Sequence, residues 1–294
     1  MVSDKHLSAE ERIAKAKLPG KKAPALHAFY QGKVETALKC SINSFDDFGI
    51  WYTPGVATPC REIHEDPSKA FEYTNKANAI AVVSDGSRVL GLGNIGPMAG
   101  LPVMEGKALL FKYLGGVGAF PIVLDTQDAD EIIQAVKWIA PGFGGINLED
   151  FSNPKCFYIL DRLREELDIP VWHDDQQGTA AITLAGVINA VKLVGKELEK
   201  VTYCIIGSGA ANIALVRILI RAGVPAGNII LVDSRGILHP GREDLEANKL
   251  ANPYKWQYAL ETNADKRTGD MAEAIAGTDV LIAASKPGPD TIKK

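Results

Sequence analysis

Two pairs of adjacent carboxylates are placed where they could do chemistry together. Glu149 and Asp150 close the run Ile146-Asn147-Leu148, and Asp174 and Asp175 close Val171-Trp172-His173. Both runs read as buried strands, and parallel strands carry their functional groups at their carboxyl ends. The two pairs are therefore expected to face one crevice, where they would repel unless a cation sat between them. Mg2+ or Mn2+, hard ions that take oxygen ligands, suit such a site. For either pair alone the competing reading is helix N-capping, because Asn153-Pro154 and Gln176 follow closely. Two pairs in succession favour the metal.

An amine and a phenol accompany the acids. Lys107 follows Pro102-Val103-Met104-Glu105-Gly106 and is read as lying at the start of an apolar helix, Glu105 to Leu114. The positive end of the helix dipole there would lower its pKa and make it a base near neutral pH, unless it simply reaches to solvent. Tyr52, just before Pro54-Gly55, is either an aromatic plug for a turn or a general acid. Further on, Val201 to Ile206 runs into Gly207-Ser208-Gly209-Ala210-Ala211 and an apolar helix, the strand-turn-helix context of a dinucleotide site. Gly207 permits the tight turn and Gly209 the approach of a pyrophosphate. Asn212 departs from the pattern, which has Gly or Ala there. Asp233, followed by Ser234 and Arg235, ends the next strand. Its carboxylate suits ribose hydroxyls and so favours NAD, while Arg235 points towards NADP.

These residues need a scaffold, and the pattern from Ala79 onward supplies one. Short β-branched runs (Ala79 to Ser84, Phe120 to Leu124, Pro170 to Trp172) alternate with amphipathic stretches (Ala129 to Ile139, Asn153 to Leu167), as in parallel sheets covered by helices. A long apolar helix is predicted from Gly178 to Val194. Strands at Val201 to Ile206, Asn228 to Val232 and Asp279 to Ala284 then open a second sheet. The expected fold is thus α/β, with an N-terminal α/β catalytic domain over 1–180 and a Rossmann-like dinucleotide-binding domain over 181–294. The opening stretch to about Lys22 reads as a charged helical arm interrupted at Lys21, Lys22 and Pro24.

Composition narrows the alternatives. With 294 residues, 46% hydrophobic, the chain can bury two cores. Its net charge of −4 lacks the basic surplus that nucleic acid requires. There is no apolar run of membrane-spanning length and no apolar signal core near Met1, so a cytoplasmic location is expected. Cys40, Cys60, Cys156 and Cys204 are scattered and read as reduced thiols.

The segments WYTPGVA (51–57), SDGSRVLGLGNIG (84–96), PVMEGKALLFK (102–112), INLEDF (146–151) and WHDDQQGTA (172–180) occur together in this order. In them the chain resembles malic enzymes of the short prokaryotic type, from about Ala25 to its end. The resemblance implies oxidation of L-malate with NAD or NADP, through oxaloacetate, to pyruvate and carbon dioxide. It implies that Lys107 is the general base, Tyr52 the general acid and Arg88 a substrate-carboxylate ligand. Glu149, Asp150 and Asp175 correspond to metal ligands, and Asp174 to the adjacent supporting acid. It also implies a homodimer. Family members continue beyond Asp290-Thr291-Ile292-Lys293-Lys294, so the nucleotide domain is expected to be C-terminally incomplete, in a fragment or a naturally shortened relative. Three other functions remain open at this stage: a malolactic-type enzyme, a non-catalytic nucleotide-binding relative, and an amino-acid dehydrogenase, which would not need two acid pairs.

Overall fold

Residues 8–285 are described by a computed structural model. The Met1–Leu7 start of the expected arm lies outside them, as do the Lys286-Pro287-Gly288 loop and the final Asp290 to Lys294 stretch. The arm itself is helix α1 (Ala9–Tyr30). It begins with a capping box: the Ser8 hydroxyl accepts from Glu11 N–H at 3.2 Å and the Glu11 carboxylate accepts from Ser8 N–H at 2.7 Å. The expected interruption near Pro24 does not occur, and α1 runs on through Pro19 and Pro24 to a left-handed cap at Gln31 (φ 54). Each proline removes one N–H, but α1 is exposed along almost its whole length, so water reaches the carbonyls left over.

Short helices α2 (Asp47–Trp51), α3 (Ala57–Glu65) and α4 (Ala70–Tyr73) lead into the first sheet. Its elements are β1 (Ala79–Ser84), α5 (Pro97–Gly115), β2 (Gly118–Val123), α6 (Ala129–Ile139), β3 (Gly145–Leu148), α7 (Lys155–Glu166) and β4 (Val171–His173). The strands are parallel in the order β2-β1-β3-β4. Leu148 pairs with His173, so Glu149 and Asp174 are the next residues out of neighbouring strands at one edge. Helix α5 starts well before the predicted Glu105: Gly96 (φ 78) ends the loop and Pro97 presets the first helical turn.

After a π-type turn over Asp174–Gly178, α8 (Thr179–Leu193) crosses towards the second sheet. That sheet comprises β5 (Tyr203–Ile206), α9 (Ala210–Arg221), β6 (Ile229–Asp233), β7 (Gly236–Ile237), α10 (Glu243–Ala247), α11 (Pro253–Glu261), α12 (Met271–Ile275) and β8 (Val280–Ala283), with strand order β7-β6-β5-β8. The antiparallel β7 is not anticipated by the sequence pattern, since two residues are too short to show periodicity.

The two sheets share one core. Phe157 and Leu160 of α7 belong to the same buried cluster as Ile205, Leu215 and Leu231. Each such side chain stabilises the fold by about 1.5–3 kcal/mol. The proposed division at residue 180 falls in the first turn of α8, which packs against α9. A polar clip adds to the apolar contact: Arg217 on α9 donates to both oxygens of Asp161 on α7, at 2.9 and 3.0 Å, and lies over the rings of Phe157 and Tyr254. No helix among the described residues is long and apolar enough to cross a membrane. All four cysteines are free thiols, as expected.

Candidate active site

The ends of β3 and β4 bring acids together as the sequence pattern implies. Glu149 and Asp150 are 5% and 3% exposed, and one carboxylate oxygen each from Glu149, Asp150 and Asp175 lies within 4.8 Å of the others. Asp150 is held in a left-handed conformation (φ 59) that Asp tolerates better than most residues. Its carbonyl accepts from Arg88 N–H at 2.9 Å, and its own N–H donates to Asp175 Oδ2 at 3.1 Å. Asn147, buried in β3, donates to Glu149 Oε2 at 2.9 Å.

Burial pushes the Glu149 carboxyl up to about 7 against the opposing pull of Lys107, and burial with the Asp175 charge lifts Asp150 to about 6. Asp175 is raised as well, chiefly by burial. Asp150 Oδ2 is buried without a hydrogen-bond partner among the described residues. Converging carboxylates that favour protonation, one with an orphaned oxygen, fit a divalent cation held by Glu149, Asp150 and Asp175. Asp174 is engaged elsewhere.

Lys107 Nζ lies 2.7 Å from Asp174 Oδ2 and 3.1 Å from Glu149 Oε1, with its side chain 18% exposed. The expectation that a helix N-terminus lowers its pKa is corrected. Lys107 sits in the middle of α5, beyond the first turn where the dipole acts. Burial does depress it, but the Asp174 hydrogen bond and the Glu149 charge outweigh burial, and the net shift is upward. Arg88 is exposed, donates to Leu90 O at 3.0 Å, and helps hold Asp150 and Asp175 in their charged forms. Its loop is pinned at Gly86, whose carbonyl accepts from Ile95 and Gly96, both at 3.2 Å; a Cβ there would lie 2.1 Å from Gly96 O.

Tyr52 is not assembled into this cluster. It caps α2, is 71% exposed, and its hydroxyl makes no hydrogen bond to any described residue. The surrounding segment is apolar and exposed: Phe45 is at 87%, Ile50 at 64% and Trp51 at 54%.

The structure adds residues that pattern reading did not select. His173 is fully buried, 3.9 Å from Asp175, with neither ring nitrogen hydrogen-bonded to a described residue; burial lowers it to about 4 and keeps it neutral. Lys155 on α7 pairs with the buried Asp85 at the end of β1. Asn147 and Asp85 were detectable as polar residues within or next to apolar strand sequence; the partner of Asn147 is only two residues on, but that of Asp85 is far away along the chain.

The nucleotide turn lies beside this site. Ser208 O accepts from the side chain of Asn153, at 3.4 Å, and Asn153 is three residues past Asp150. Gly207 has φ 105, and a Cβ there would be 3.0 Å from Ala284 O. Gly209 caps α9, which opens with Ala210 and Ala211. Asn212, the departure from the pattern, is 2% exposed and donates to Ile206 O at 2.9 Å and Gly207 O at 3.0 Å, tying the strand end to the helix.

Asp233 differs from the free acceptor that the sequence suggests. Arg242 donates to Oδ1 at 2.8 Å and to Oδ2 at 3.1 Å, Arg235 N–H donates to Oδ1 at 2.8 Å, and Lys255 contacts Oδ2. Burial alone would raise this carboxyl, but those donors hold it below its ordinary value. Ser234, Arg235 and Lys255 line a cavity of about 320 Å3 beside it.

Two family models match the chain in succession. Residues 31–164 match the malic enzyme N-terminal domain and residues 176–287 the malic enzyme NAD binding domain. The NAD-dependent malic enzyme of Geobacillus stearothermophilus is 56% identical over 87% of this chain and 52% of its own length. The bifunctional malic/malolactic enzyme of Bacillus subtilis is 48% identical over 90% of this chain and 62% of its own. Other relatives carry the name NADP-dependent malic enzyme. The chain thus spans about a third to three fifths of the length of these curated relatives. Among solved structures, the NAD-dependent malic enzyme from Thermotoga maritima superposes with a TM-score of 0.84 at 46% identity, covering 90% of this chain and 68% of that one. With both domain models matched in order over most of its length, the chain belongs to the malic enzyme family.

Proposed function

We propose that this chain carries the site for oxidative decarboxylation of L-malate to pyruvate and carbon dioxide, with NAD or NADP as the hydride acceptor. The observation that carries this reading is the position of Lys107 Nζ, 3.1 Å from Glu149 and 2.7 Å from Asp174, against three carboxylates within 4.8 Å of one another. Glu149, Asp150 and Asp175 would hold Mg2+ or Mn2+. When bound, the cation supplies Lewis-acid stabilisation of developing oxygen charge, and the nucleotide supplies the hydride acceptor.

Lys107 takes the proton of the C2 hydroxyl, with Asp174 orienting the amine. In the metal-free chain the neighbouring charges keep Lys107 an ammonium. Neutralising those charges leaves burial as the dominant influence and favours the free amine. Arg88 offers an exposed guanidinium beside the acids for a substrate carboxylate. Tyr52 returns a proton to carbon. Its exposure requires its apolar segment to dock, and a homodimer that covers Phe45, Ile50 and Trp51 meets that need.

The test is reduction of NAD or NADP by L-malate, dependent on Mn2+ or Mg2+, with pyruvate as product. Absence of turnover with either nucleotide at any pH from about 6 to 9, the near-neutral range in which a general base is expected to work, would sink the reading. A second reading, release of lactate, draws support from the relative named as a bifunctional malic/malolactic enzyme, and identification of the product separates the two. Sedimentation of the purified chain tests the dimer.

A further inference from the structure

Asp85, just past the end of β1, is fully buried, and the chemistry proposed above gives it no part. A buried carboxylate is costly unless it is paired and hydrogen-bonded. Its Oδ2 accepts from Lys155 Nζ, and its Oδ1 accepts from Ser87 N–H at 2.9 Å. Lys155 Nζ also donates to Gln127 O at 3.0 Å, with its side chain 18% exposed. One ammonium therefore joins the loop after β1, the turn between β2 and α6, and the start of α7. Lys155 is the first residue of α7, where the helix dipole disfavours a cation, so the needs of the helix do not explain it.

The loop that these bonds hold is the one that carries Arg88. Ser152 N–H donates to Ser87 Oγ at 2.9 Å and Arg88 N–H donates to Asp150 O at 2.9 Å, which stitches the loop to the segment between β3 and α7. Farther along, the side chains of Asn94 and Gln127 exchange two amide hydrogen bonds, at 3.0 and 3.2 Å. Gln127 is thus gripped twice, by Lys155 at its carbonyl and by Asn94 at its side chain. The Arg88 guanidinium donates to Leu90 O within the same loop, so its placement relative to the acids follows that of the loop backbone.

We propose that Lys155 is a positioning residue for substrate: through Asp85 and Gln127 it fixes the loop that presents Arg88 to a carboxylate of the bound hydroxy acid. The proposal rests on the reading of Arg88 as a carboxylate ligand and assigns the tether that this reading needs. A guanidinium recognises a carboxylate through two parallel N–H donors, and a displacement of about 1 Å is enough to spoil that match. An apolar residue at 155 would leave Asp85 a buried charge without a cation. The loop relieves that charge by opening towards water, and Arg88 moves with it.

The experiment measures Mn2+-dependent malate turnover in the wild type, Lys155→Met, Lys155→Arg, Asn94→Ala, Arg88→Gln and the double variant Lys155→Met with Arg88→Gln. Backbone amide exchange across residues 86–96 is followed in the metal-free proteins. Lys155→Met should raise the malate KM about tenfold, the factor for one charge-assisted hydrogen bond, with kcat and the nucleotide KM nearly unchanged. Lys155→Arg keeps the cation and should recover most of the loss. The double variant should bind malate no worse than Arg88→Gln alone, because Lys155 acts through Arg88. Exchange across 86–96 should quicken by about tenfold in Lys155→Met and by less in Asn94→Ala. Asn94 is exposed, so its variant loosens the loop without stranding a buried charge, and it should raise the malate KM even where Lys155→Met is too unstable to assay. KM effects of Lys155→Met and Arg88→Gln that multiply, unchanged exchange across 86–96, or a fall in kcat at constant KM overturns the positioning role while leaving the reaction standing. A wild type that binds and turns over no malate overturns the proposed reaction, and the role of Lys155 with it.

Discussion

Replacing Glu149 by Gln should make the metal-free protein more stable above neutral pH. The wild-type carboxyl is pushed from its ordinary 4.5 up to about 7, mainly by burial. Between those two values the folded chain holds a proton that the unfolded chain has released. Stability therefore falls as pH rises through that window and is flat above it. At about 1.4 kcal/mol per tenfold change in proton affinity, the full effect is about 3 kcal/mol. A chain of this size should then lose about 5–10 °C of thermal midpoint from this group between pH 4.5 and pH 8. Glutamine mimics the protonated acid and removes the dependence. Asp150, raised to about 6, contributes a second loss of the same sign that the variant leaves in place. The assay is thermal or urea unfolding of both proteins at several pH values, with chelator and again with Mn2+. The variant should gain about 3 kcal/mol on the wild type between pH 5 and pH 8 in chelator. Saturating Mn2+ should restore the wild type, by about 2.7 kcal/mol at a hundredfold excess over Kd, and do little for the variant. If the wild type gains stability relative to the variant as pH rises in chelator, or if Mn2+ stabilises both equally, the account of Glu149 as a strained, cation-seeking carboxylate is refuted.

Three further outcomes test other parts of the site. Tyr52→Phe should lower the rate of pyruvate formation by about 10²–10⁴, the usual contribution of a general acid, with little change in nucleotide Kd; an unchanged rate removes Tyr52 from the chemistry. Asn212→Ala should cost about 1–3 kcal/mol, because the carbonyls of Ile206 and Gly207 lose a buried donor, and should weaken nucleotide binding measured by calorimetry. Arg217→Met should lower the thermal midpoint by a few degrees, since the Asp161 pair is half-exposed and worth about 1 kcal/mol while the ring contacts add a similar amount; if Asp161→Asn alone has the full effect, the ring contacts contribute nothing.

Much of this protein could be read directly from residue order. Alternating apolar runs and amphipathic stretches define the strands and helices because side-chain period is a local property, and β1, α6 and the acid pairs at the strand ends follow from it. The glycine turn after β5 is legible for the same reason: a positive φ at Gly207 is a requirement of a few consecutive residues. Tertiary structure decided which groups meet. The adjacency of β3 and β4 puts Glu149 beside Asp174 and delivers both to Lys107, far away in the chain. That encounter reverses the pKa shift expected from helix position. Likewise, the residues that saturate Asp233 come from α11, from the loop before α10 and from its own turn. Charge state and acceptor capacity depend on every group within a few ångströms, and most of those groups are brought there only by the folding of distant segments.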